Sequence, residues 1–136
     1  MEFKTDLITY MGIYRTIETE KLNLPTSEGR RTILANHMAI MIPLDIGIIE
    51  TEEKGVLKHY VTNGGVVYFK DNVAEVIADS IIDVEEINIE EELVEKAKQE
   101  EKLANARREN ERIRAKTTLE VVELRIETAK RIHNID

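Results

Sequence analysis

Two polar segments carry the residue types best suited to chemistry or docking. Ser27-Glu28-Gly29-Arg30-Arg31 puts a hydroxyl, a carboxylate and two guanidinium groups side by side just after Pro25. A segment of this kind is either an ordinary hairpin tip or a loop that docks on a partner. Asn36-His37-Met38, followed by Met41 and Pro43-Leu44, joins an imidazole to two thioethers. Methionines fill irregular gaps in cores, and they also adapt to partner surfaces, so both readings stand. Further along, Arg107, Arg108, Arg112 and Arg114 cluster in a polar stretch, where they form a solvated turn or a contact for an acidic surface.

None of these groups belongs to a recognisable catalytic constellation. There is no G-x-x-x-x-G-K-[ST] phosphate loop and no G-x-G-x-x-G dinucleotide fingerprint. Ser27 and Ser80 are the only serines, and neither sits in G-x-S-x-G. His37, His59 and His133 are too far apart for a local metal motif. His59 reads as a strand residue. His133 falls at a helix end, where a cation suits the dipole. The Glu-rich stretch from Glu85 to Glu101 reads as a solvated helix face rather than a carboxylate metal site. The expectation is a non-catalytic chain with no cofactor and no metal.

The elements that must position these residues fall into two kinds. Residues 3–84 contain short runs rich in β-branched and aromatic side chains, among them Phe3–Tyr10, Ile13–Ile17, Lys21–Leu24, Ile46–Glu50, Val56–Thr62, Val66–Phe69, Val73–Ala78 and Ile81–Val84. Gly12, Pro25, Asn63-Gly64-Gly65 and Lys70-Asp71-Asn72 interrupt them, and such spacing predicts a β-sandwich or barrel. Asn-Gly and Asp-Asn tolerate the positive φ that tight hairpins need. From Asn88 the pattern turns helical. Asn88 with Glu91 makes a capping box, a feature worth about 1 kcal/mol. Ile89, Leu93, Ala97 and Ala104 mark one face, and Ala115, Leu119, Val122, Ile126 and Ala129 mark a clearer second one. The tail is either a helical hairpin or one long helix. Asn105 or Asn110 is a candidate turn, and Thr117 with Glu120 a candidate second capping box. Its stripe of Ala and Val predicts modest, reversible packing.

Bulk composition agrees with this division. All aromatics lie in the first 70 residues, the last glycine is Gly65 and the last proline Pro43. The expected domains are 1–86 and 87–136. A net charge of −8 disfavours nucleic acid and anionic lipid as partners. The chain has no cysteine, no apolar signal-peptide core at its N-terminus and no apolar run of the ~18–20 residues needed to span a bilayer. The expectation is a soluble chain that reaches a membrane only through another protein.

In this order the segments resemble the epsilon subunits of bacterial F-type ATP synthases, whose mitochondrial counterpart is called delta. Ser27-Glu28-Gly29, Ile33, His37, Ile46 and Gly47 match one family segment. Asn63-Gly64-Gly65-Val66-Val67-Tyr68-Phe69 and Val73-Ala74-Glu75-Val76-Ile77-Ala78-Asp79 match a second, and Glu85-Glu86-Ile87-Asn88 leads into the helices. The resemblance implies an α+β chain: an N-terminal β-sandwich of about ten short strands, then a C-terminal two-helix hairpin or extended helices. It implies that the sandwich binds the gamma subunit, with His37, Met38 and Met41 near that contact. It further implies that Ser27, Glu28, Gly29, Arg30 and Arg31 face the c-ring. The chain would be peripheral, at the cytoplasmic face of the bacterial plasma membrane, in the rotor that couples ion flow to ATP synthesis. Its helices would be a regulatory element that blocks ATP hydrolysis when extended toward the alpha/beta hexamer, with Arg107, Arg108, Arg112, Arg114 and Arg125 as the contact and regulatory residues. Some relatives bind ATP through I-D-x-x-R-A; here Ile87, Asn88, Glu91 and Glu92 stand in those places. A glutamate replaces the arginine, and it repels phosphate where arginine would bind it. Lys98 and Arg125 fall near other basic positions of that motif. Loss of this ATP response is therefore expected. The alternative reading is a non-catalytic β-sandwich adaptor whose helices form a coiled coil with another partner.

Overall fold

The computed structural model describes residues 1–133. Its strands are β1 (Phe3–Thr9), β2 (Gly12–Thr19), β3 (Lys21–Thr26), β4 (Gly29–Leu34), β5 (Ile40–Glu53), β6 (Val56–Lys70), β7 (Val73–Ile77) and β8 (Ile81–Asp83). A single 3-10 turn, Val84–Glu86, leads to helices α1 (Ile89–Ala104) and α2 (Glu109–Ile132). Two compact units result, Met1–Asp83 and Val84–Asp136.

The first unit is a β-sandwich built on one long ribbon. β5 and β6 pair antiparallel from Ile40↔Phe69 to Glu53↔Val56. One half of β6 (Val66–Lys70) pairs with β7, which runs parallel to β1, and β1 pairs with β2. The other half of β6 (Tyr60–Thr62) pairs with β8, while β5 pairs with β3 and β3 with β4. The ribbon thus serves both layers. The eight strands seen, against about ten expected, follow from this ribbon: β5 and β6 each run as one strand through what read as separate short ones.

Asn63-Gly64-Gly65 is therefore not a hairpin turn but part of β6. The pairing passes from Leu44↔Gly65 to Ile46↔Asn63, stepping over Asp45 and Gly64. Gly65 has φ +127, and a Cβ there would lie 2.1 Å from the Ile77 carbonyl oxygen. The glycine thus lets the ribbon bend while β7 passes close by. At Asp71-Asn72 the turn reading is correct: both residues have positive φ, as a two-residue hairpin turn requires.

Alternate residues of the strands fill the space between the layers. Phe3, Leu7, Leu22, Leu24, Ile33, Ile49, Tyr60, Val67, Phe69 and Val76 are fully buried. Each such side chain contributes about 1.5–3 kcal/mol by leaving water. Phe3 and Phe69 meet edge-to-face with ring centroids 5.3 Å apart.

The second unit is a hairpin of two helices. Asn88 caps α1 as expected, its side-chain oxygen accepting from the Glu91 N–H at 3.1 Å. Asn105 ends α1, its N–H donating to the Glu101 carbonyl at 3.0 Å. Thr117 and Glu120 lie inside α2, which begins earlier, at Glu109. Glu109 and Glu111 in its first turn suit the dipole, and the early start makes Ala115 part of the buried stripe. That stripe is as expected: Ala115, Leu119, Val122, Ile126 and Ala129 are all buried.

The face expected of α1 is not. Leu93, Ala97 and Ala104 are exposed, and the one fully buried residue of α1 is Gln99. Two alanines remove little apolar surface from water. The helix instead presents Glu92 to Arg125 of α2.

Candidate functional site

The β3–β4 hairpin turns through Ser27-Glu28, between Thr26 and Gly29. Thr26 holds the turn: its hydroxyl accepts from the Glu28 N–H at 3.3 Å and donates to the Gly29 carbonyl. Gly29 supplies a φ of +106, which side chains resist. Residues 27–31 are all exposed. Arg30 folds back on the sheet, donating to the Ile48 carbonyl at 2.7 Å and to the Asn23 side chain. It pins the hairpin to β5. The side chains of Ser27, Glu28 and Arg31 bond to nothing else among the described residues.

His37 lies between β4 and β5. Its Nδ1–H donates to the Met38 carbonyl at 2.8 Å, and its ring stands edge-on to Phe69 with centroids 6.0 Å apart. Met38 and Met41 are not core residues: they are 76% and 57% exposed. Tyr68, itself 44% exposed, stands directly across the ladder from Met41. Met41 and Tyr68 thus make an exposed apolar pair on the ribbon, with Met38 exposed in the preceding loop and His37 half-buried.

Sequence reasoning missed a polar network because its members are far apart in the chain. Arg15 of β2 donates to Asp83 Oδ2 at 2.7 Å, and Lys58 lies 3.8 Å from the same oxygen. Arg15 also donates to the Tyr60 hydroxyl at 3.3 Å, and that hydroxyl donates to Glu53 at 3.0 Å. The Asp83 N–H donates to the Tyr14 hydroxyl at 3.1 Å. Burial disfavours the Arg15 charge, but the bonds to Asp83 and Tyr60 outweigh it and hold the pKa above its usual value. Burial pushes the Tyr60 phenol upward too, with Glu53 adding and Arg15 opposing. The network ties Asp83, the last residue of the sandwich, to β2 and β6, and Tyr60 extends it to Glu53 of β5.

In the helical unit, Glu91 stands in the first turn of α1 as a capped, exposed carboxylate. Arg125, expected among the tail's basic contacts, is instead partly buried, its Nη1 donating to Glu92 Oε1 at 3.4 Å. Glu92 Oε2 and Thr128 Oγ1 are buried with no hydrogen-bond partner among the described residues. Such orphaned groups cost about 1–3 kcal/mol each, which offsets part of what the buried stripe of α2 contributes. Arg107, Arg108, Arg112 and Arg114 gather around the turn between the helices and the first turns of α2. All four are exposed, and none forms an ion pair with a described residue.

Elsewhere His59 meets Glu50 at 3.2 Å. Among the described residues no three His, Cys, Asp or Glu side chains converge on a metal position. No helix there is long and apolar enough to cross a membrane.

Comparison with known proteins agrees with this geometry. A family model described as the ATP synthase delta/epsilon chain β-sandwich domain matches residues 2–84. The ATP synthase epsilon chain of Lactobacillus delbrueckii subsp. bulgaricus is 32% identical over 82 residues, covering 57% of this chain and 56% of that one. The chain thus spans little more than half the length of the first curated relatives it matches. The epsilon chain of Lactobacillus helveticus is 28% identical over 131 residues, covering 93% of this chain and 87% of its own. In the solved Euglena gracilis mitochondrial ATP synthase, a chain matches with a TM-score of 0.71 and 24% identity, covering 90% of this chain and 78% of that one. A chain of the Tetrahymena thermophila mitochondrial ATP synthase central stalk and c-ring matches with a TM-score of 0.64 and 19% identity, over 95% and 97%. At these identities the two structures establish the fold.

Proposed function

We propose that this chain, which belongs to the ATP synthase delta/epsilon chain family, is the rotor subunit of an F-type ATP synthase and is not itself a catalyst. In this reading it joins the gamma subunit and the c-ring in the central stalk, couples ion translocation to ATP synthesis, and restrains ATP hydrolysis through its C-terminal helices. It reaches the cytoplasmic face of the bacterial membrane only through the ring. The observation that carries the reading is a rigid sandwich with two unfilled surfaces, an apolar face and a charged tip. Met38, Met41 and Tyr68 are the gamma-facing surface, and Ser27, Glu28 and Arg31 at the β3–β4 tip are the ring-facing one. Arg30, bound to the sheet, supports the tip rather than touching the ring.

The four exposed arginines of the helical unit are the contact for acidic loops of the alpha/beta hexamer. A glutamate at position 91 leaves no phosphate partner there, so the tail does not respond to ATP through the familiar motif. Arg125 serves the hairpin itself.

Binding of the full chain to isolated gamma subunit tests the sandwich assignment. Replacing Met38 and Met41 together by serine removes two apolar anchors from an exposed face, so the fold survives and affinity falls about tenfold or more, or 1.4 kcal/mol. Unchanged affinity in calorimetry would remove the methionine face from the interface.

A further inference from the structure

Residues 35–39 carry the chain from β4, in one layer of the sandwich, to the start of β5, in the other. Connections of this kind are ordinarily more mobile than the strands they join. This one is tied down by two asparagines 36 positions apart. The Asn36 backbone N–H donates to Asn72 Oδ1 at 2.6 Å, and Asn72 Nδ2 donates back to Asn36 Oδ1 at 2.9 Å. The Asn72 carbonyl accepts from the Lys4 N–H at 3.2 Å, which fixes the pair to the start of β1. Asn36 Nδ2 also reaches Met1 Sδ at 3.4 Å.

Each asparagine sits in a tight turn. Asn72 ends the two-residue turn between β6 and β7, with φ +60. The His37 N–H donates to the Leu34 carbonyl at 3.2 Å, so Ala35 and Asn36 are the central residues of a second turn, and Asn36 has φ +68. Asparagine tolerates that backbone, and its side chain carries both a donor and an acceptor. The two turns are thus locked to each other through the amides. Glycine would keep the backbone of either turn and lose the side-chain bonds. Aspartate at position 72 would keep the acceptor but set a carboxylate against Asn36 Oδ1.

We propose that the Asn36–Asn72 pair positions Met38 for the gamma subunit by holding residues 35–39 in the binding conformation before the partner arrives. Just beyond Asn36, His37 bonds the Met38 carbonyl and packs edge-on to Phe69, so the backbone that carries Met38 is held from both directions while its side chain stays exposed. A thioether side chain adapts its own rotamers to a partner surface, and a backbone already in place spares the complex the cost of ordering the loop. The asparagines act through Met38, and the proposal rests on the gamma-facing reading of that residue.

The test measures binding of the full chain to isolated gamma subunit. Asn72→Gly keeps the turn and removes both bonds, so affinity falls about three- to tenfold. Amide exchange at residues 37–39 accelerates about fivefold or more, while the β5–β6 ribbon is unchanged. Asn72→Asp, which keeps a side chain on the turn and removes only the donor, also weakens binding, and it carries the test should the glycine variant fold poorly. Asn36→Asp still accepts from Asn72 Nδ2 and binds as the parent does. In a Met38→Ser background Asn72→Gly costs nothing further, because its effect acts through Met38. An equal loss in both backgrounds would overturn the positioning role. If Met38→Ser weakens binding and neither change at Asn72 does, the proposal fails while the gamma-facing reading stands. If Met38→Ser binds as the parent does, both fail together.

Discussion

Tyr60 shows how a single side chain can report on the sandwich. It is fully buried, yet its hydroxyl links Arg15 to Glu53. Burial raises its pKa above the ordinary value of 10.0. In the unfolded chain the phenol loses its proton near pH 10, while the folded protein keeps it. Over that interval the unfolded state binds fewer protons, so stability is full below about pH 10 and falls as pH rises beyond it. Urea denaturation of the full chain at pH 8 to 11 therefore shows a loss of stability that begins near pH 10. Tyr60→Phe flattens this alkaline slope, and at neutral pH it costs about 1–2 kcal/mol because Glu53 and Arg15 each lose a partner. A slope unchanged in Tyr60→Phe would assign the alkaline loss to other groups.

At the scale of elements, the helical hairpin is the weaker piece. α1 buries Gln99 and pairs Glu92 with Arg125 of α2, while Leu93 and Val94 stay in solvent. The Asn88 cap and the Glu92–Arg125 pair then carry much of what holds α1 in place. Asn88→Ala lowers the local stability of α1 by about 1 kcal/mol, and Arg125→Gln leaves the Glu92 carboxylate without its cation. Amide exchange in α1 accelerates about fivefold or more in each variant, while exchange in the β5–β6 ribbon stays unchanged. Equal acceleration in the ribbon would mean that the helices and the sandwich open as one unit.

Element by element, the sequence was legible where a local rule governs. Gly12 and Asp71-Asn72 mark true turns because positive φ is required there, and Asn88 marks a true cap because its side chain has an N–H to satisfy. Asn63-Gly64-Gly65 misleads, since two glycines also serve a bend within a strand when another backbone comes close. The face of α1 misleads because its few apolar residues add too little burial to decide its orientation. The network of Arg15, Tyr60 and Asp83, like the pairing of Asn36 with Asn72, depends on which distant segments the fold brings together, and no local pattern carries it. The exposure of Met38 and Met41 was equally hidden, because methionine suits a core as well as a contact face.

For the whole molecule, the proposed roles divide between the two units, attachment falling to the first and control to the second. The sandwich has its own core, and each residue assigned to the gamma or ring contact lies within Met1–Asp83. The helices carry the four exposed arginines, and Glu92 Oε2 and Thr128 Oγ1 between them have no hydrogen-bond partner among the described residues. ATP hydrolysis by an alpha-beta-gamma complex tests this division most directly, measured with no addition, with the full chain, and with residues 1–86 alone. The account predicts that both forms bind and that only the full chain slows hydrolysis. Binding of both forms with hydrolysis untouched by either would contradict the role given to the helices, and failure of both to bind would contradict the rotor assignment itself.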